Sequence, residues 1–178
     1  DLLLSQVVLG LQGAYQEENA ALALQAFLLF MKQRGWEIDF SVLPSSLRET
    51  HWAGRLEEIS PGIYLDGAHN LPALTRLVEF IKEQKGKKCN LLFGALKRKD
   101  YSGMLAYLQE ALPEVQVTVT SFAYGESVGQ GEAANFDYVA DYREFIERFK
   151  REQAADQLLF ITGSLYFIAE VRAYLYRV

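Results

Sequence analysis

Residues 62–94 read GIYLDGAHNLPALTRLVEFIKEQKGKKCNLLFG, and this stretch decides the fold. A short apolar run, Gly62 to Leu65, stops at the polar cluster Asp66-Gly67-Ala68-His69-Asn70. From Pro72 to Lys85 apolar residues recur at helical spacing, and a second apolar run, Cys89 to Gly94, follows. Strand, helix, strand at this spacing is a βαβ unit, whose crossover is right-handed and whose strands are parallel. Downstream the alternation continues: helix Tyr101 to Leu112, strand Val115 to Ser121, a glycine-rich loop Ala123 to Ala134, helix Tyr138 to Gln153, strand Gln157 to Thr162 and helix Leu165 to Tyr176. Runs such as Leu158-Leu159-Phe160-Ile161 need not alternate, because a central parallel strand is covered on both sides. The expected class is α/β, a Rossmann-like, mainly parallel sheet with helices on both faces.

Upstream the pattern differs. Leu2-Leu3-Leu4 and Val7-Val8-Leu9 read as a strand or edge segment closed by a turn around Gly10 and Gly13. From Glu17, Ala20, Leu24, Phe27, Leu28 and Met31 keep helical spacing, with acidic residues in the first turn and Lys32, Arg34 and Gly35 at the far end. A loop with Pro44 leads to a short helix, Ser45 to about Thr50, and Trp52-Ala53-Gly54-Arg55 breaks the pattern. We place a domain boundary here, giving regions 1–51 and 52–178.

Half of the 178 residues are hydrophobic and 13% aromatic, enough for a buried core. The net charge of -5 and pI near 5.1 argue against a general nucleic-acid binder, which needs a concentrated basic surface. The basic runs Lys82 to Lys88 and Lys97-Arg98-Lys99 read as solvated helix ends or loops. The single cysteine, Cys89, forms no internal disulfide and reads as a half-buried strand residue of a cytoplasmic protein. Charges interrupt every apolar stretch before the ~20 residues a membrane span needs, so no membrane partner is expected. The chain opens on Asp1 rather than methionine, which suggests a piece of a longer protein.

In a parallel sheet, ligands collect beyond the carboxyl ends of the strands, where helix N-termini offer unpaired N–H groups. Three such ends are distinctive: Asp66 to Asn70, Gly94-Ala95-Leu96-Lys97 and Thr162-Gly163-Ser164. Asp66, His69 and Asn70 either carry chemistry there, or Asp66 or Asn70 caps the next helix with His69 solvated beside it. Two histidines, His51 and His69, exclude a multi-histidine metal site within the chain. A hydrolase triad of Ser164, His69 and Asp66 lacks the G-x-S-x-G elbow, and a dinucleotide G-x-G-x-x-G is missing after the first strand. Arg55, at the boundary, either binds phosphate through its guanidinium or pairs with Glu57 or Glu58.

Taken in order, Trp52-Ala53-Gly54-Arg55-Leu56-Glu57 and Leu65-Asp66-Gly67-Ala68-His69-Asn70 resemble the join and first strand end of the C-terminal domain in folylpolyglutamate and dihydrofolate synthases of the Mur ligase superfamily. Phe93-Gly94-Ala95-Leu96-Lys97 with Lys99-Asp100-Tyr101, and Thr162-Gly163-Ser164-Leu165-Tyr166, resemble its later strand ends. Gln16 and Asn19-Ala20-Ala21 resemble the helix start near the end of its central ATPase domain. The sequence departs from the family at Tyr15, where histidine is usual, and at Ala53 and Leu71, where proline is usual. The resemblance implies that region 1–51 is the remnant of a central ATP-binding domain and 52–178 the C-terminal ligase domain.

It further implies an ATP-dependent ligase of magnesium and one-carbon chemistry: ATP phosphorylates a folate or dihydropteroate carboxylate, and the amine of L-glutamate attacks the acyl phosphate. By similarity Asn19 would contact adenine, Arg55 the ATP phosphates and Asp66 the ribose or its surroundings. His69 and Ser164 would face glutamate and the transferring phosphoryl group. Lys97, by charge and position, would help hold an anionic substrate. The phosphate loop and magnesium ligands belong to the family's N-terminal and central regions, and no G-x-x-x-x-G-K-[ST] occurs here, so the chain alone is expected to be inactive. The family implies a monomeric parent. The competing readings are another Mur-type amino-acid ligase and a non-catalytic Rossmann-like binding module.

Overall fold

A computed structural model describes residues 7–133 and 135–176. The chain divides into two units, 1–53 and 54–178, each described by itself.

The larger unit is built on a six-stranded sheet: β1 (Glu57–Ser60), β2 (Ile63–Leu65), β3 (Lys88–Phe93), β4 (Gln116–Thr120), β5 (Asp137–Val139) and β6 (Gln157–Thr162). Their order is β1-β2-β6-β3-β4-β5, with β1 antiparallel to β2 and every other pair parallel. The α/β class and the parallel sheet expected from the sequence are both present. Helices α3 (Leu71–Glu83), α4 (Tyr101–Ala111), α5 (Tyr142–Glu152) and α6 (Leu165–Leu175) complete the unit.

Alternation along the central strands sorts the helices onto two faces. Leu159 and Ile161 of β6 and Leu92 of β3 face Tyr142 and Ile146 of α5 and Phe167 and Val171 of α6. On the opposite face Phe160 stacks on Tyr64 at 5.2 Å and meets Phe80 of α3 edge to face at 6.2 Å. Because β6, last in the chain, lies between β2 and β3, the chain reverses direction across the sheet, which makes their carboxyl edge a topological switch point.

Two strands escaped the sequence reading. β1 is a short, charged edge strand joined to β2 by Ser60-Pro61-Gly62-Ile63, where Gly62 has φ +74°. Proline followed by a left-handed glycine is the pattern of a type II turn, the one local signal of this hairpin. The expected helix Tyr138 to Gln153 begins four residues later. Asp137–Val139 pairs with Thr118–Thr120 as β5, and Asp141, whose carboxylate accepts the Arg143 N–H at 2.9 Å, caps α5 at Tyr142. Tertiary pairing overrides a helical period there.

In the smaller unit α1 (Tyr15–Arg34) ends at left-handed Gly35, and a 3-10 turn, Phe40–Val42, runs into α2 (Leu43–Glu49). Val7 to Leu9, read as a strand segment, is not one, since it pairs with no strand among the described residues; Leu2 to Leu4 lies outside them. Gly10 instead donates its N–H to Leu47 O at 3.1 Å. The helix expected from the spacing is present as α1, with Leu22, Phe27, Leu29 and Phe30 exposed and Gln16 its one buried residue. Among the described residues no helix is long and apolar enough to cross a membrane.

Candidate active site at the carboxyl edge of the sheet

The carboxyl ends of β2, β6 and β3 are knitted together by backbone hydrogen bonds. Asp66 N–H donates to Ile161 O at 3.0 Å, Gly94 N–H to Thr162 O at 2.9 Å and Gly163 N–H to Ala68 O at 3.0 Å. Such close approach requires glycine. A Cβ at Gly94 would lie 2.6 Å from the Phe167 ring, and one at Gly163, where φ is +111°, 2.7 Å from Gly94 O. The three polar clusters singled out from the sequence thus arise from three neighbouring strands, at one edge.

Asp66 is buried, and both carboxylate oxygens serve backbone donors: Oδ2 accepts from Leu56 N–H at 3.1 Å and Oδ1 from Ala68 N–H at 2.9 Å. Burial pushes its pKa up, while those two N–H groups and the nearby Arg55 charge hold it back. Asn70, not Asp66, caps α3, accepting from Ala73 N–H at 3.0 Å. His69 is half-buried, with Nδ1 2.8 Å from Gly67 O. A carbonyl only accepts, so Nδ1 carries the proton and Nε2 of the neutral ring is left as an acceptor. Because His69 Nδ1 engages Gly67 and Asp66 is committed to backbone, the Asp-His link that a hydrolase triad needs is not made.

Ser164 is buried at the start of α6 and its Oγ accepts from Tyr166 N–H at 3.2 Å. A hydroxyl in that role still has its own proton to donate. Arg55 is half-buried and forms no ion pair among the described residues. The carboxylates that competed for it are engaged: Glu57 binds Arg172 Nε at 3.0 and 3.2 Å, and Glu58 accepts from Gly62 N–H at 2.9 Å. Lys97 is paired. Its Nζ lies 2.6 Å from Glu132 Oε1, so an anionic ligand there would have to compete with that carboxylate.

In the smaller unit Asn19 Nδ2 donates to Gln16 Oε1 at 2.9 Å. Both line a cavity of about 220 Å³ with Leu9, Leu11, Ala23 and Leu47. Two amides at i and i+3 on a helix over an apolar hollow suit a flat heteroaromatic ring, apolar on its faces and polar at its rim. Gln16 belongs to this set and was not among the site residues chosen from the sequence; the i, i+3 amide pair was the signal. A larger hollow of about 420 Å³ lies at the opposite, amino-terminal edge of the sheet, lined by residues such as Gly62, Lys87 and Gln157. It lies away from the three polar strand ends, and Gln153 gives both of its amide hydrogens to the Pro61 and Gln157 carbonyls. Among the described residues no group of three or more His, Cys, Asp or Glu side chains converges to hold a metal ion.

The Rossmann-like unit thus carries a cation, a histidine and a capping serine around the carboxyl edge of its sheet. The sequence pattern of the Mur ligase family, described as its glutamate ligase domain, matches residues 54–165. The chain belongs to that family. It is 30% identical over 167 residues to dihydrofolate synthase/folylpolyglutamate synthase of Bacillus subtilis, covering 90% of this chain and 39% of that protein. To folylpolyglutamate synthase of Lacticaseibacillus casei it is 31% identical over 172 residues, covering 95% and 40%. A solved folylpolyglutamate synthase complex with AMPPCP and folate superposes with a TM-score of 0.70 at 30% identity, over 92% of this chain and 37% of that one. The chain thus spans about two fifths of the length of these relatives.

Proposed function

We propose that this chain is the C-terminal part of an ATP-dependent amide ligase that adds L-glutamate to folate, to dihydropteroate or to both, through an acyl phosphate. One observation carries the reading: the residues matched by the glutamate ligase domain, 54–165, include Arg55, Asp66, His69, Lys97 and Ser164, all placed around one edge of one sheet. Two relatives that bear the synthase names align over nine tenths or more of the chain. The exposed apolar surface of α1 supports a larger parent, because a helix apolar on several sides is suited to burial within a bigger core. Residues 1–53 are then the end of a central ATP-binding domain.

The chemistry asks the protein to gather anions, orient an amine and exclude water. Arg55 supplies to the ATP phosphates a guanidinium that forms no ion pair among the described residues. Gln16 and Asn19 receive the adenine ring over their apolar hollow, and Asp66 belongs to the nucleotide side. His69 Nε2 accepts a proton from the glutamate ammonium or positions it, and the Ser164 hydroxyl donates to a glutamate carboxylate or the transferring phosphoryl group. Lys97 joins them when Glu132 is displaced. Magnesium, which helps neutralise phosphate charge in such reactions, finds no ligand cluster among the described residues, and no step here runs through it; its ligands belong to the remainder of the parent. The parent would act as a monomer in the cytoplasm.

The test is glutamate-dependent ADP release by the full-length parent carrying Arg55→Ala or His69→Ala. Losses in kcat/KM on the order of a hundredfold, with unchanged circular dichroism, are expected for each; ordinary turnover in both variants overturns the reading.

A further inference from the structure

The turn that carries Arg55, residues 54–57, is docked on the last helix of the larger unit. Leu56 has φ +47°, the sole left-handed residue other than glycine among those described, and it is 2% exposed. A buried leucine holds that conformation only where its surroundings impose it. Part of the constraint comes from the end of β2, where Leu56 N–H donates to Asp66 Oδ2 and Gly67 N–H donates to Gly54 O. The rest comes from α6. Glu57 Oε2 accepts from Gly54 N–H at 2.8 Å, which closes the turn, and the same carboxylate takes Arg172 Nε at 3.0 and 3.2 Å. Tyr176 covers the pair, its ring 4.5 Å from the Arg172 guanidinium and its hydroxyl donating to Glu57 Oε1 at 3.4 Å. One helical turn earlier, a Cβ on Gly54 would collide with Ile168 Cδ1, so the backbone before Arg55 rests on that side chain.

Ser164, Ile168 and Arg172 stand four residues apart and share one stripe of α6. The stripe starts at the capping hydroxyl on the carboxyl edge and ends, roughly 12 Å further along the helix axis, at the ion pair that closes the Arg55 turn. The Arg172 side chain is 42% exposed, and so open a pair adds little to stability. Its contribution is geometric, because the carboxylate that closes the turn is the one the helix grips. We propose that Arg172 and Glu57 are positioning residues: their pair docks the Arg55 turn on α6, so that one helix holds the guanidinium meant for the ATP phosphates in fixed relation to the Ser164 hydroxyl. This rests on the reading that Arg55 meets the ATP phosphates, and Arg172 acts through Arg55.

The experiment is a double-mutant cycle in the full-length enzyme with Arg55→Ala, Arg172→Met and the pair, reading kcat, KM for ATP, KM for glutamate and the melting temperature of each. Arg172→Met keeps the length of the side chain and removes its charge. It is expected to lower kcat/KM for ATP about tenfold, the effect of a misplaced binding group, with KM for glutamate little changed. The loss is expected to vanish in the Arg55→Ala background. Losses that add in full would show that Arg172 acts by another route and overturn the proposal, as would a lowered melting temperature with wild-type kinetics, which makes the pair structural alone. An equal rise in KM for glutamate would mean that α6 itself has shifted, and overturns it too. If Arg55→Ala alone leaves the ATP parameters unchanged, the phosphate reading falls and the proposal with it, an outcome distinct from additivity. Should Arg172→Met not fold, Glu57→Gln keeps an acceptor for Gly54 N–H and loses the charge that Arg172 grips: its loss must also vanish without Arg55, and full additivity there overturns the proposal as well.

Discussion

Glu170 shows how one carboxylate on the far side of α6 organises several neighbours. Oε1 accepts from Tyr142 OH and from Arg143 Nη2, each at 2.9 Å, and Oε2 accepts from Ala123 N–H at 3.0 Å. Tyr142 is 1% exposed, so its hydroxyl has no water to fall back on. Burial, and then the Glu170 carboxylate, push the Tyr142 phenol far above its ordinary range. Removing that hydroxyl with Tyr142→Phe leaves Glu170 two other donors, and the cost should be about 1–2 kcal/mol in urea denaturation at neutral pH. The pH dependence follows from the direction of the shift. A group whose folded pKa is raised stabilises fully below its unfolded value, here 10.0, and loses that contribution as pH rises through the folded value. The stability gap between wild type and Tyr142→Phe should therefore be flat up to pH 10.0 and narrow above it. A gap of constant size at higher pH would show that the phenol does not titrate under the influence of Glu170.

At the scale of elements, capping and close packing set the candidate site. Ser164 caps α6 and Asn70 caps α3 at the two strand ends that carry the chemistry, so each loop ends where it must for its helix to start. Ser164→Ala should cost about 1 kcal/mol of stability through the lost cap, and on the proposed function it should also raise the KM for glutamate; a thermal shift without a kinetic effect would leave Ser164 as a cap alone. Gly94→Ala puts a methyl into the Phe167 ring, and a cost of about 1–3 kcal/mol is expected. Gly163→Ala should cost more, because its methyl meets the carbonyl of Gly94 and its φ is +111°; chemical denaturation of both variants would show whether that order holds. Much of this was legible in sequence. The strands β3, β4 and β6 and helices α3, α4 and α6 follow from apolar period and glycine or cap punctuation. β1 was not, since Glu57 and Glu58 are poor strand formers and the strand exists through pairing with β2. β5 was hidden because it is three residues long and only Ala140 and the cap Asp141 separate it from α5. Sequence also placed Asp66, His69, Lys97 and Ser164 at strand ends, but it carries no sign that Asp66 spends both oxygens on backbone or that Lys97 meets Glu132 from a distant loop.

At the scale of the whole molecule the two units differ in how their apolar residues are used. Residues 54–178 bury Leu65, Leu92, Ile161, Phe167 and Val171 essentially completely in one core, whereas 1–53 leave Leu22, Leu29 and Trp36 half exposed or more. Apolar burial at roughly 25 cal/mol per Å² is the main favourable term in folding, so a segment that withholds such area opens at lower free energy. Native-state hydrogen exchange should accordingly show weak protection across α1 and α2, and protection near the global stability in β3 and β6. The same reasoning predicts that residues 54–178, prepared alone, fold cooperatively and melt within a few degrees of the main transition of the full chain, because β1 to β6 and α3 to α6 find their partners among themselves. Proteolysis of the full chain should cut first near Trp52, which is exposed beside the unit boundary, and leave the larger unit intact. Equal protection throughout, or a 54–178 piece that melts far below the full chain, would mean instead that the larger core depends on the residues before it, and the division into separately stable units would fall.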